Sequence, residues 1–312
     1  MKLSSRKKPI VDGLYLERRA SPIACAAGGV LLLVSSAALA DQGPPKWGAG
    51  QLVIAGAGCP IETPDARSLM FASARPGGAG DLDIWTIDRT AVGAAWSTPK
   101  NLPAPINSPA AEFCPSPYGR TLYFVSTEAN PGACGGGDIY VSRQSPAGDW
   151  AEPEHLACAP EGPNTPGTER SPSLIKTWYG TYLFYSTNGG VAGADDEIYV
   201  SVMDDKGELG AGRVVKALSV PGYQDQMPTI RAHNGAFELT FNSDRPGTTA
   251  APVFGGQDVY YSRAWVLPYW WSAPVNAGPN VNTAANETRA SLSFDGRRLY
   301  VGRGDVYMSE RQ

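Results

Sequence analysis

Short runs of alternating hydrophobic and polar residues recur along the chain, and apolar residues almost nowhere return at helical spacing. Arg120-Thr121-Leu122-Tyr123-Phe124-Val125-Ser126 alternates as a strand. Its counterparts are SLMFAS (68–73), TYLFYS (181–186), ELTFNS (238–243) and RLYVGR (298–303). After each comes a glycine-bearing loop, then an acidic, an aliphatic and an aromatic residue. These tripeptides are Asp83-Ile84-Trp85, Asp138-Ile139-Tyr140, Glu197-Ile198-Tyr199, Asp258-Val259-Tyr260 and Asp305-Val306-Tyr307, separated by 55, 59, 61 and 47 residues. Periods of that size belong to stacked supersecondary units.

The second unit serves as the template. An inner strand begins at Cys114 to Ser116, turns at Pro117-Tyr118-Gly119 and leads into the alternating second strand. A third strand runs from Asp138 to Arg143, and the segment from Trp150 to Leu156 closes the unit as an outer strand. Four antiparallel strands make a propeller blade. Equivalent outer segments begin at Trp96, Leu209 and Trp271. The fifth unit starts near Arg289 and lacks one, whereas Trp47-Gly48-Ala49-Gly50-Gln51-Leu52 matches Leu209-Gly210-Ala211-Gly212-Arg213-Val214 and belongs to no unit of its own. Placing it on the last blade closes the ring and removes the free sheet edges. The expectation is an all-β, five-bladed β-propeller in one domain over 41–312. Its blades lie near 59–102, 112–156, 169–215, 225–277 and 287–309, the last completed by 47–53.

The stretches LYFVSTEANPGACGGGDIYVSR (122–143), LMFASARPGGAGDLDIWTID (69–88) and VNTAANETRASLSFDGRRLYVGR (281–303) resemble the PD-40 (WD-40-like) β-propeller repeat. Exported bacterial proteins with TolB-type propeller domains carry this repeat. The resemblance covers residues 47–309, with Glu197 in place of the repeat Asp and a shortened last loop, Gly302-Arg303-Gly304. It implies the propeller fold and, mostly, a binding or scaffolding role.

Composition narrows the setting. Lys2, Arg6, Lys7, Lys8, Arg18 and Arg19 precede an uncharged, apolar stretch, and Ala38-Leu39-Ala40 offers a cleavage site, so residues 1–40 read as a signal peptide. An uncleaved anchor is the alternative, but Ser, Gly and Ala dilute the apolar stretch. Subtracting six basic and two acidic leader residues from 26 Lys+Arg and 30 Asp+Glu leaves 20 against 28, a net charge of −8. Such a surface argues against nucleic acid and anionic membranes as partners. The expected location is periplasmic or secreted, with no stable membrane insertion after cleavage. Cys59, Cys114, Cys134 and Cys158 then read as two disulfides, since no pair has zinc-ligand spacing. Blade geometry pairs Cys134 with Cys158, because the loop before a third strand meets the end of the outer strand. Cys59 is left for Cys114.

Candidate chemistry is sparse. Three units share Asn-Ser/Thr-x-x-x-Glu before the inner strand, ending at Glu112, Glu169 and Glu287; the fourth offers Asp225 and the first Cys59. These carboxylates are candidate ligand-binding groups at the channel mouth, able to hold a cation or sugar or to act as acid and base. A residue repeated in every blade more often satisfies backbone donors where one blade joins the next. The repeat acids Asp83, Asp138, Glu197, Asp258 and Asp305 read as structural caps of their loops. No calcium-loop pattern is present, so no cofactor is expected, with calcium as the alternative. Trp265, Tyr269 and Trp270 occupy a position where other blades carry polar turns, and make a candidate aromatic contact loop. The expected function is a non-catalytic binding or scaffold module for a protein or cell-envelope polymer. The alternative is a glycan-active enzyme, a glycoside hydrolase or lyase, using the mouth carboxylates.

Overall fold

The computed structural model describes residues 45–129, 132–247 and 252–312, which form strands, turns and loops without a helix. The leader expected over 1–40 lies outside these residues. Five antiparallel sheets make a five-bladed β-propeller. The inner strands are Gly58–Glu62, Glu112–Tyr118, Arg170–Thr177, Asp225–His233 and Ala290–Leu292. Each is in contact with the next, and the fifth with the first, so they close a ring. The second strands are Ser68–Ser73, Thr121–Ser126, Gly180–Thr187, Ala236–Ser243 and Arg298–Gly302. The third are Asp83–Asp88, Asp138–Arg143, Glu197–Val202, Asp258–Val266 and Val306–Glu310.

The alternation seen in the sequence sorts side chains to the two faces of each blade, and both faces are covered by neighbouring blades. An apolar layer therefore fills each junction. Phe71 and Trp85 of blade 1 pack with Tyr300 and Val306 of blade 5, and Phe184 and Ile198 of blade 3 pack with Leu239 and Phe241 of blade 4. A fully buried side chain of this size contributes roughly 1.5–3 kcal/mol.

The outer strands are shorter than expected and begin later. They reduce to Lys100–Asn101, Glu154–His155, Arg213–Val214 and Val275–Asn276. Of the preceding segments, Trp150 and Leu209 keep isolated bridges, to Gln144 and Met203 respectively. Prolines and glycines there interrupt the ladder. In blade 4 the third strand runs on to Val266 and turns back as Tyr269–Trp271.

Closure follows the expected route. Gln51–Ile54 pairs antiparallel with Val306–Glu310, with Gln51 opposite Met308 and Leu52 opposite Tyr307. Trp47 is buried against the last blade, and the Arg311 guanidinium sits 5.0 Å from its ring centre. Arg311 also bonds Glu238 of blade 4 at 2.7 Å, so the closing strand is held from two blades. Disulfides join Cys59 to Cys114, linking the inner strands of blades 1 and 2, and Cys134 to Cys158 within blade 2.

Trp47→Ala empties this site and removes the platform for Arg311. We expect a loss of about 3–5 kcal/mol, as for other buried tryptophans. A thermal melt coinciding with that of the wild type would show that closure does not rest on this contact.

Candidate functional site

Each junction between blades must satisfy backbone groups that no strand ladder reaches. The repeat asparagine does this by imitating a strand residue. Asn107 accepts from Ile84 N–H at 2.9 Å and donates back to Ile84 C=O at 2.9 Å; Asn164 does the same for Ile139, and Asn282 for Val259. The following carboxylate then clamps the connection. Glu112 accepts from Ser108 N–H at 2.8 Å and from the Ser108 hydroxyl at 2.7 Å. Glu287 holds Thr283 in the same manner, and Asp225 accepts from Val220 N–H at 2.7 Å. Glu169 accepts from the Thr165 hydroxyl at 2.5 Å and from its N–H at 3.1 Å. All four carboxylates are essentially fully buried, each engaged with its own connection. In the first blade the corresponding residue is Ala57, whose N–H reaches Gly304 C=O, and not Cys59. Cys59 instead matches Cys114, and both have positive φ, 49° and 50°.

The repeat acids cap the loops before them. Asp83 accepts from Ala79 N–H at 2.7 Å, Asp138 from Cys134 N–H at 2.7 Å and Asp258 from Phe254 N–H at 2.9 Å. Asp305 departs from this and instead accepts from Gly56 N–H at 2.8 Å, beside the first inner strand. Glu197 is half-buried, and beside it Asp196 forms an ion pair with Arg170 at 2.9 Å.

One junction differs from the rest. Between blades 2 and 3, Glu169 N–H bonds Gly137 C=O, which brings its carboxyl next to Asp138. Glu169 Oε2 and Asp138 Oδ1 are both buried without a hydrogen-bond partner among the described residues. At two other junctions a cation offsets the burial: Arg303 lies 3.7 Å from Glu287, and Arg245 bonds Asp225. Glu169 has no such neighbour. Its carboxyl is pushed up to about 7, chiefly by loss of hydration and further by the nearby Asp138, against the hydrogen bonds from Thr165 and Thr187. Burial also raises Asp225 and Glu287, but their arginines pull them back.

Asp138 continues outward to His155, whose Nε2 lies 2.8 Å from Oδ2. His155 takes the position held by Asn101 and Asn276 in other blades, which bond Asp83 and Asp258. Cys134, Asp138 and His155 offer ligand atoms within 4.8 Å of one another. With Cys134 bonded to Cys158, the thiolate that zinc prefers is not on offer.

The aromatic loop stands out from the blade. Trp265, Tyr269 and Trp270 are 45%, 66% and 74% exposed. Trp270 has φ +59°, uncommon for a bulky residue and maintained only where its surroundings dictate it. Those surroundings are the Tyr179 hydroxyl, which accepts Leu267 N–H at 2.8 Å, and Trp271, which donates to Pro268 C=O and packs edge-on against Phe184. Between this hairpin and the outer edge of blade 3 runs a groove of about 1010 Å³, lined by Tyr269, Trp270, Trp271, Val200, Val202 and Arg213. Its lining extends to Pro160, two residues beyond Cys158.

No family model and no curated protein sequence matches this chain. Solved structures do. The catalytic domain of a GH62 α-L-arabinofuranosidase from Coprinopsis cinerea superposes with TM-score 0.56 at 13% identity, covering 86% of this chain and 98% of that domain. The α-L-arabinofuranosidase of Podospora anserina gives 0.54 at 12%, covering 86% and 97%. An endo-arabinase from Bacteroides thetaiotaomicron gives 0.51 at 12%, also covering 86% and 97%. At such identities the likeness establishes the fold. It also corrects the expectation of a non-catalytic, WD-40-like protein-binding module, because the propellers that this chain resembles are glycan-active enzymes. Sequence reasoning missed the pairing of Asp138 with Glu169. A signal was present: His155 stands where blades 1 and 4 carry Asn101 and Asn276.

A pH test follows from Glu169. Its folded value of about 7 stands above the ordinary 4.5, so the folded state retains a proton that the unfolded chain releases between those values. Stability from this group is complete below about pH 4.5 and is lost as pH rises through 7. Relative to Glu169→Gln, which mimics the protonated acid, the wild type should lose roughly 3 kcal/mol between pH 4.5 and 8. Parallel melting curves across that range would contradict the assignment.

Proposed function

We propose that this chain is a glycan-active enzyme of the glycoside hydrolase kind, holding a polysaccharide against the aromatic hairpin of blade 4. The groove carries this reading. Sugar rings present C–H faces that stack on exposed aromatic surfaces, and their hydroxyls require donors and acceptors beside them. Tyr269 and Trp270 supply the faces, and Arg213 supplies donors. The neighbouring structures named above support the reaction class.

Hydrolysis of a glycosidic bond needs one carboxyl that stays protonated and another that stays ionised. At the junction of blades 2 and 3 we assign the acid to Glu169, held protonated up to about pH 7, and the second carboxyl to its neighbour Asp138, which bonds His155. Since Glu169 is buried, substrate reaches it only if covering residues shift on binding.

The test uses arabinan, arabinoxylan and galactan, with retention in affinity gels and release of reducing ends as readouts. Trp270→Ala should weaken retention about tenfold or more with an unchanged melt, as expected for loss of a stacking face. Glu169→Gln should fold normally at pH 7 and lose roughly 10²–10⁴-fold in turnover. Neither retention nor hydrolysis on any polysaccharide would overturn the proposal. A Glu169→Gln variant with full turnover would overturn the assignment of the acid.

A further inference from the structure

The inner strands share a second pattern. Each carries a residue, then proline or alanine, then usually a hydroxyl residue: Cys59-Pro60-Ile61, Cys114-Pro115-Ser116, Ser171-Pro172-Ser173, Met227-Pro228-Thr229 and Arg289-Ala290-Ser291. The hydroxyls stitch the ring together. Thr229 donates to Ala290 C=O, Ser291 to Pro60 C=O at 2.7 Å, and Ser173 accepts from Ile230 N–H at 3.1 Å. Arg289 breaks the pattern of small or apolar residues at the first position.

Arg289 is 0% exposed, and its Nη1 crosses the ring from blade 5 to blade 2, reaching Pro115 C=O at 2.6 Å. Arg231, on the inner strand of blade 4, is 5% exposed. Its Nη1 donates to Ile230 C=O at 2.9 Å, and its guanidinium lies 4.5 Å from the centre of the Phe294 ring. In both side chains Nε and Nη2 are buried without a hydrogen-bond partner among the described residues. That is the same edge of each guanidinium. It is the edge that grips a planar or tetrahedral oxyanion through two parallel N–H bonds.

The charges around them do not balance. Neither arginine has a carboxylate among its hydrogen-bond or ion-pair partners in the described residues. The nearest influence on Arg231 is Glu62, which already bonds Arg89 at 2.5 Å, Arg298 at 3.1 Å and the Tyr300 hydroxyl at 2.7 Å. Arg298 is shared with Asp295 at 3.3 Å. Two further buried cations close enough to repel each other therefore lack a counter-charge. Isolated buried charge is too costly to persist unpaired, and arginine does not readily shed its proton.

From this geometry we infer that Arg231 and Arg289 form a binding site for a small oxyanion inside the ring of inner strands. Four donor nitrogens, two on each arginine, are left for it, enough to satisfy a phosphate, a sulfate or a small carboxylate. The near-zero exposure of both arginines limits the occupant to a free ion and excludes a group carried on a polymer. The site is independent of the groove and of Glu169, and its occupant acts as a structural counter-ion joining blade 5 to blades 2 and 4.

Melting curves in phosphate, sulfate or acetate, each against chloride at equal ionic strength, test the inference. At least one oxyanion should raise Tm saturably by about 3 °C or more, and the three arms identify which. Ion chromatography of extensively desalted, acid-denatured protein covers an ion trapped during folding, with about one equivalent expected. The double variant Arg231→Met, Arg289→Met should lose both signals. If it does not fold, the wild-type measurements decide alone. No oxyanion-specific rise and no released ion in the wild type would overturn the inference, as would a double variant that keeps either signal.

Discussion

Backbone pairing where one blade hands over to the next is the constraint on which everything else in this molecule depends. A propeller has no helices to absorb loose N–H and C=O groups, and its connections run between two packed sheets. The solution is an amide side chain acting as one residue of strand, followed by a carboxylate that ties its own loop. Because that unit repeats, the positions of inner strands, core layers and channel follow from it. Buried acidic groups come with it at four of the five junctions, and their charge has to be managed locally.

That management explains why one junction is chemically distinct. Glu287 and Asp225 keep an arginine close by, whereas Glu112 and Glu169 rely on hydroxyl donors, Ser108 and Ser126 for the first and Thr165 and Thr187 for the second. Arg170, which follows Glu169 directly, turns instead to Asp196 in the next loop. Glu169 is thereby left with a carboxylate for a neighbour and no cation. Its altered acidity arises from a local redirection of charge, not from a different backbone.

Much of the architecture was legible because period, alternation and turn residues all reported the same blade. The closing strand could be found since Trp47 to Leu52 copied the segment after Leu209. The outer strands were harder, as proline and glycine in those segments shorten the ladder to two residues. Cys59 was mistaken for a counterpart of the mouth carboxylates because a two-residue offset is invisible until the hydrogen bond from Ala57 is seen. The functional reading drew on a repeat shared by many proteins, and repeat positions record packing before they record chemistry. What marks the candidate site is departure from the repeat: His155 for asparagine and Trp270 for a polar turn.

The pairing of Gln51–Ile54 with Val306–Glu310 also has a temporal consequence. The first described strand of the chain finds its partner only in the last one, about 250 residues later. Until then blade 5 lacks its outer strand, and the apolar layers on both of its sides remain only partly covered. Contacts this distant in sequence form slowly and leave sheet edges exposed meanwhile. The ring thus matures as a whole only once Val306–Glu310 has been made, and a chain short of that strand is an open sheet array in need of shelter.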